Sequence, residues 1–262
     1  MKSTWTHAQK REAVLNAPLG PGFFREDTQQ ILREGWVQLI TPSAPYLNEV
    51  SFSIVAEDDV ERVIDETIAA YRAIGKNVKW YLGPDSRPLD MGQRLARRGF
   101  RRSEYLGMIV ETSRPVERGA DVHVEHVEAA SVDAFVAATI RGWSMAADQV
   151  EPERAAHHRA LAEVPRSSHA FLATFDGKSV GTAGILMREG YGYLVGGQVF
   201  EEARGRGAYR ALVDARLQFL RSVHIDYAVT FALETTSAPI LERLGFETVA
   251  RVECWVLQHS PG

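Results

Sequence analysis

Four residues in a row, Arg204-Gly205-Arg206-Gly207, stand directly before a run with helical periodicity over 208–223. Glycines let the backbone turn sharply and let a ligand approach without meeting a Cβ. The loop amides run into a helix N-terminus, where unpaired N–H groups and the helix dipole favour an anion. Two guanidiniums add charge and forked donors that match phosphate oxygens. The stretch predicts a cradle for a phosphate or pyrophosphate. It is not a Walker A loop, because the lysine of G-x-x-x-x-G-K-[ST] is missing. It is not a dinucleotide fingerprint either, since Arg210 stands where the third glycine of G-x-G-x-x-G belongs. On the loop alone, a helix start with incidental surface arginines is the competing reading.

The elements around the loop decide how to read it. The chain has 262 residues, 45% hydrophobic and 24% charged, which is enough for one large core or two smaller ones. A net charge of -4 gives no reason to expect a nucleic-acid or anionic-membrane partner. The N-terminus is too polar for a signal peptide, and no apolar run approaches a membrane span. With Cys254 as its one cysteine, the chain cannot make an internal disulfide, and a cytoplasmic protein is expected. Cys254 lies in apolar Cys-Trp-Val-Leu and reads as a buried thiol rather than a nucleophile. His123 and His126 fall at i, i+3 in strand-like sequence, and His157-His158 are adjacent on a polar helix. Both pairs read as surface features, and no metal site is expected.

Segments 5–16 and 24–34 look helical, and 36–40 and 48–55 look like strands. Residues 56–75 form an amphipathic helix with Val60, Val63, Ile64, Ile68 and Tyr71 at helical spacing and Gly75 as its stop. A strand at 78–82, a helix at 89–98 and a long strand at 100–111 follow. Polar, unperiodic residues 112–121 read as a linker, which divides the chain into 1–113, a connection at 114–121, and 122–262. The second part predicts a strand, two helices, a three-stranded antiparallel meander with a hairpin turn at Asp176-Gly177, the RGRG loop and its helix, a strand, a short helix and a last strand. The class is α+β, a mixed and mostly antiparallel sheet flanked by helices. Leu95-Ala96-Arg97-Arg98-Gly99-Phe100 and Leu241-Glu242-Arg243-Leu244-Gly245-Phe246 share L-x-R-x-G-F in matching contexts, which points to a duplication. In each, the glycine suits a helix C-cap and the phenylalanine begins a strand facing the core.

A meander, then R-x-x-G-x, a helix, a strand, a short helix and L-G-F resembles the GNAT acyltransferase superfamily. Its acyl-CoA loop has the form [QR]-x-x-G-x-[GA], and Arg204 to Ala208 match the first five positions. The resemblance covers about residues 121–258, with the first half as a degenerate copy whose early meander is replaced by helices. It implies acetyl-CoA as cosubstrate, its pyrophosphate on the amides of Arg204, Gly205, Arg206, Gly207, Ala208 and Tyr209. It also implies that Gln198, Val199 and Phe200 pair with the pantetheine arm, that an amide near Gln198 or Val199 faces the thioester oxygen, and that Ser237 borders the cofactor.

The sequence departs from the family pattern at three positions. Tyr209 occupies the sixth motif position and is expected on the outer face of its helix. Leu241 replaces the tyrosine that usually protonates the leaving thiolate. Glu234 stands where an asparagine is usual. Acyl transfer to an amine needs a base, an oxyanion donor and a proton or positive field for the thiolate. Glu234 is the candidate base, with a capping or salt-bridged carboxylate as its other reading, and Tyr193, Tyr209 and Tyr105 are candidate acids. Trp143, Tyr105 and Trp80 are candidate walls of the acceptor site, with Tyr81 beside them. Glu57, Asp58 and Asp59 at the matching helix start of the first half would repel a pyrophosphate, so that half is not expected to bind CoA. The expected function is acetyl transfer from acetyl-CoA to a primary amine; the alternative is a non-catalytic acyl-CoA sensor. The sequence does not choose the acceptor, the acyl length, or between monomer and homodimer.

Overall fold

Thr6 starts the first helix, α1 (His7–Asn16), with a capping box: its hydroxyl accepts from Gln9 N–H, and Gln9 Oε1 accepts from Thr6 N–H. The computed structural model describes residues 4–20, 22, 24–34, 36–44, 46–116 and 121–259. After α1 come β1 (Gln29–Arg33), β2 (Trp36–Ile40), β3 (Glu49–Ser51), α2 (Val60–Ala73), β4 (Val78–Leu82), α3 (Met91–Arg97) and β5 (Arg101–Glu111). The second half follows with β6 (Val122–His126), α4 (Val132–Gly142), α5 (Val150–Ala162), β7 (Ser168–Phe175), β8 (Lys178–Arg188) and β9 (Tyr191–Val199). It ends with α6 (Ala208–Ser222), β10 (Tyr227–Leu233), α7 (Ser237–Arg243) and β11 (Glu247–Leu257). Of the expected linker, residues 117–120 lie outside the described residues.

The expected helix over 24–34 is corrected. Residues 29–33 form a strand that pairs with β2 from Gln29↔Ile40 to Arg33↔Trp36. That stretch is largely exposed, so it has no apolar stripe to hold a helix, and the ladder to β2 decides its state. The first half therefore keeps an antiparallel meander, β1-β2-β3, rather than having it replaced by helices.

Among the described residues all strands join one eleven-stranded sheet in the order β1-β2-β3-β4-β11-β5-β10-β9-β8-β7-β6. The two halves exchange their last strands. β5 closes the first half in sequence but lies against β10, and β11 closes the second half but lies against β4, both antiparallel. β5 and β11 also pair with each other, so the two sheets are continuous. One core packs α4 and α6 on the second half's strands, another packs α2 on the first half's strands, and a third lies under α1 at the centre.

Both L-x-R-x-G-F segments end a helix in the same way. Gly99 and Gly245 have φ of 86° and 88°, and Phe100 and Phe246 donate back to Leu95 and Leu241. Both phenylalanines are buried. A Cβ on Gly245 would lie 2.5 Å from Arg114 Nε, whereas one on Gly99 meets nothing closer than 3.7 Å. Gly245→Ala is expected to lower stability by about 1–2 kcal/mol and Gly99→Ala by about 1 kcal/mol, read from urea unfolding.

Candidate active site

Parallel strands β9 and β10 pair only from Tyr191↔Tyr227 to Tyr193↔Val229. One further tie, Thr230 Oγ1 donating to Leu194 O at 2.9 Å, holds them before they diverge. On its other edge β9 loses register with β8 between Thr182 and Gly184, where Gly196 has φ 59°. This bulge at Gly196-Gly197 bends β9 away from its partner. The splay opens a cleft of about 450 Å³, bordered by the backbone from Leu194 to Gly197 and by Tyr209, Arg216, Ser237 and Leu241. Beyond Tyr193 the edge of β9 facing β10 has no strand partner, so its peptide groups are left for a ligand.

The RGRG loop sits at the start of α6. A short turn, Glu201–Ala203, leads into it, and Gly205 and Gly207 take φ of 78° and 85°. Gly207 is the N-cap in a left-handed conformation that a Cβ would strain. The first intrahelical bond is Ala211 N–H to Gly207 O, so the amides of 207–210 have no partner within the helix. Arg204 and Arg206 are exposed, with Arg206 5.2 Å over the Phe175 ring, while Ala208 is buried as the helix anchor.

Several of the expected site residues gather at this cleft. Tyr193, Tyr209, Ser237, Trp143 and Tyr105 border it. Tyr209 is not on the outer helix face as expected. It is half-buried and lies beside Gly197, whose added Cβ would be 3.3 Å from its ring. Burial pushes the Tyr193 and Tyr209 phenols up, so both stay protonated at neutral pH. Leu241 is buried against the cleft and brings no proton.

Other expected residues lie elsewhere. The part of β9 that lines the cleft is Leu194 to Gly197, and Gln198, Val199 and Phe200 follow it farther along the chain. Gln198 and Val199 are in register with β8, and the Gln198 amide donates to Thr182 Oγ1 and Ala138 O. Glu234 lies outside the cleft, in a 2.7 Å ion pair with the exposed Arg251. Trp80 is fully buried in the first half and donates to Ser53 Oγ at 2.9 Å, while Tyr81 takes the cleft-facing place. Cys254 is buried, and burial pushes its thiol up to about 11, so it is not a thiolate at neutral pH.

The matching place in the first half is shut. β3 and β4 pair in parallel from Glu49↔Lys79 to Ser51↔Tyr81 and then stay tied. Phe52 N–H donates to Tyr81 O, Arg87 N–H to Ser53 O and Val55 N–H to Arg87 O. No splay remains there for a pantetheine arm. The acids at its helix start are held too, with Glu57 and Glu61 both on Arg94.

Two functional candidates escaped the sequence. Arg216, eight residues beyond the N-terminal end of α6, is 2% exposed, borders the cleft, and has no carboxylate within ion-pair distance among the described residues. It donates to Leu212 O at 3.0 Å, and desolvation lowers it to about 10, so it remains a cation. Helical periodicity marks position 216 as a core position, and that was the available signal. The other is Glu49 in β3. It borders both the cleft and a second cavity of about 670 Å³ beneath α4 and α5.

Of the four histidines read as surface features, His123 and His158 are exposed, whereas His126 and His157 are corrected. His126 Nε2 lies 3.1 Å from His169 Nδ1, and His157 packs edge-on against Phe135; all three border the second cavity. Burial lowers both His157 and His169 to about 4, so they are neutral at pH 7. In the unfolded chain they titrate near 6.5. The unfolded state thus binds more protons between these values, and stability present above about pH 6.5 is lost as pH falls towards about 4. The urea midpoint is expected to fall over that window, and His157→Gln to flatten the fall.

Residues 133–246 match the family model described as Acetyltransferase (GNAT) family. No curated protein matches the chain. Among solved structures, a conserved protein of unknown function from Staphylococcus epidermidis is similar at TM-score 0.66 and 12% identity, over 89% of this chain and 95% of that one. A GCN5-related N-acetyltransferase from Kribbella flavida is similar at 0.64 and 18%, over 99% and 97%. A tandem GNAT protein from the clavulanic acid biosynthesis pathway is similar at 0.54 and 15%, over 98% and 96%. At these identities the likeness is one of fold, and it extends across both halves. Among the described residues no helix is long and apolar enough to cross a membrane. Residues 133–246, which carry the splayed, bulged strand and the RGRG loop that it feeds, thus match the GNAT acetyltransferase family, and the fold of the whole chain is similar to that of solved GNAT proteins.

Proposed function

We propose that the protein is an acyl-CoA-dependent N-acyltransferase that moves an acetyl group from acetyl-CoA directly to a primary amine. One observation carries the reading: the splay of β9 from β10 and the glycine-arginine loop at the start of α6 belong to the same strand-loop-helix unit. The loop amides and Arg204 and Arg206 hold the pyrophosphate. The free edge of β9 pairs with the pantetheine arm, and an amide at the Gly196-Gly197 bulge donates to the oxyanion. Arg216 supplies a fixed positive charge beside the cleft as the thiolate leaves, and the protonated Tyr193 or Tyr209 returns a proton to it. Together they stand in for the tyrosine that Leu241 replaces. The proposed setting is the cytoplasm, because a chain with one buried thiol needs no disulfide.

Leu241 also favours a second reading, a sensor that binds acyl-CoA without turning it over. Thermal unfolding with acetyl-CoA tests the shared premise. The wild type is expected to gain about 2.7 kcal/mol at a ligand concentration one hundred times Kd, and Arg204→Glu/Gly207→Glu to gain nothing. A wild type that does not respond overturns both readings. Release of CoA in the presence of amines separates the enzyme from the sensor.

A further inference from the structure

The second cavity is walled by both halves. Phe24, Leu39 and Leu47 come from the first, and Phe135, Met145 and Ile185 from the second. Its lining is more apolar than polar. Its charged groups are largely engaged. Glu153 is paired with Arg25, Arg166 with Glu128, and Arg188 donates to Ala17 O. The cavity meets the acyl-CoA cleft at Glu49, Tyr81, Trp143, Tyr193, Val195 and Gly196, which border both. Among the described residues Glu49 is the one carboxylate shared by the two cavities.

We propose that this second chamber holds the acceptor, an amine carried on an apolar body, and that Glu49 receives its ammonium where chamber and cleft meet. The proposal rests on the acyl-transfer reading of the cleft. A cavity of this size encloses a molecule of drug-like dimensions. Its walls, apolar over most of their area, favour apolar surface over the hydroxyls of an amino sugar. Glu49 places a carboxylate where chamber and cleft meet, with Lys79 beside it on the chamber side, so an amphipathic amine that brings its ammonium to Glu49 is oriented nitrogen first. The first half, which lacks a CoA site of its own, thereby supplies the acceptor's anchor.

The chemistry balances. The Glu49 carboxylate takes one proton from R–NH3⁺, and the freed lone pair attacks the thioester carbonyl. A C–N bond forms and the carbonyl π pair moves onto oxygen. Collapse of that oxyanion breaks the C–S bond, and the proton that the nitrogen sheds goes to the thiolate. The products are R–NH–CO–CH3 and CoA-SH, and Glu49 returns its proton to solvent. Desolvation raises the Glu49 carboxyl above the ordinary range, while Lys79 across the strand pair and Ser51 pull it down. Tyr71, Tyr81, Tyr193 and Cys254 also lie within its field and are neutral at pH 7. The carboxylate form is therefore gained at a higher pH than usual, and the acid limb of kcat/KM reports it.

The test measures CoA release with phenethylamine and octylamine against ethanolamine and glucosamine, alongside the acetyl-CoA thermal shift. The apolar amines are expected to have kcat/KM at least about tenfold above the polar ones. Glu49→Gln keeps the shape of the side chain and removes its charge. It is expected to lower kcat/KM for phenethylamine about 100-fold, to erase the acid limb, and to keep the acetyl-CoA thermal shift. Ala146→Trp, at an exposed position on the chamber wall, should reduce phenethylamine turnover more than ethanolamine turnover. An acetyl-CoA shift with no turnover of apolar amines, or with polar amines equal to them, overturns this proposal alone. So does a Glu49→Gln enzyme with wild-type rate and pH profile. No acetyl-CoA shift in the wild type overturns the acyl-transfer reading and this proposal with it.

Discussion

Glu153→Ala is expected to destabilise the fold by about 3–5 kcal/mol, the largest effect of any single substitution away from the cores. Glu153 and Arg25 have side chains 1% and 3% exposed, and Arg25 Nη2 lies 2.5 Å from Glu153 Oε1. The Tyr46 hydroxyl donates to the same oxygen, and Arg25 also donates to Gln149 Oε1 at 3.3 Å. Arg25 and Tyr46 belong to the first half and Glu153 to α5 of the second, so the cluster fastens the halves over the second cavity. It is not fully satisfied: Arg25 Nε and Nη1 have no hydrogen-bond partner. Removing the carboxylate leaves a buried guanidinium without its ion-pair partner. Removing both charges, as in Arg25→Met/Glu153→Leu, should cost far less than the single change, because both desolvation penalties vanish together. Urea unfolding of the two variants checks this. A single variant within about 1 kcal/mol of wild type would show that water reaches the pair and that the halves are held by other contacts.

Much of the second half was legible because its signals are local. Asp176 and Gly177 have φ of 48° and 71°, as their identities suggest for a tight hairpin turn. Gly205 and Gly207 take the left-handed conformations for which glycine is suited. The repeated L-x-R-x-G-F reports the same cap twice. What stayed hidden depends on partners far away in the chain. Residues 29–33 are a strand because β2 is beside them, and nothing in Gln-Gln-Ile-Leu-Arg announces that partner. The exchange of β5 and β11 is invisible to periodicity, since both strands look alike whichever half they join. That exchange puts β4 and β5 in one continuous sheet with β10, with the Tyr81 ring 6.3 Å from Tyr105 and the Phe52 ring 6.1 Å from Phe231. Glu49 reaches the cleft by this route. In sequence Glu49 stands 155 residues before Arg204, the first residue of the RGRG loop, too far for any spacing rule to join them.

Gly197→Val is expected to lower acetyl transfer by about 10²–10³ while leaving the fold intact. A Cβ at Gly197 would lie 3.3 Å from Tyr209 Cε2 and 3.5 Å from Arg216 Nη2, so two further methyls must press into the cleft floor between them. Neither neighbour can withdraw freely. Tyr209 is packed against the second half's core, and Arg216 is held by Leu212 O and Gly184 O. The added bulk therefore goes where the thioester would lie, and it spoils both the bulge amide and the cation beside it. Valine is well suited to a strand, so little stability should be lost. Gly177→Asn is the matched control, a glycine of φ 71° at the β7–β8 turn with open space around its Cβ, and asparagine tolerates that conformation. CoA release and the acetyl-CoA thermal shift are measured for both. If Gly197→Val transfers acetyl groups at the wild-type rate, the carbonyl does not sit at the bulge. The reaction centre must then be sought farther along β9, at Gln198 and Val199, where the motif alone would have put it.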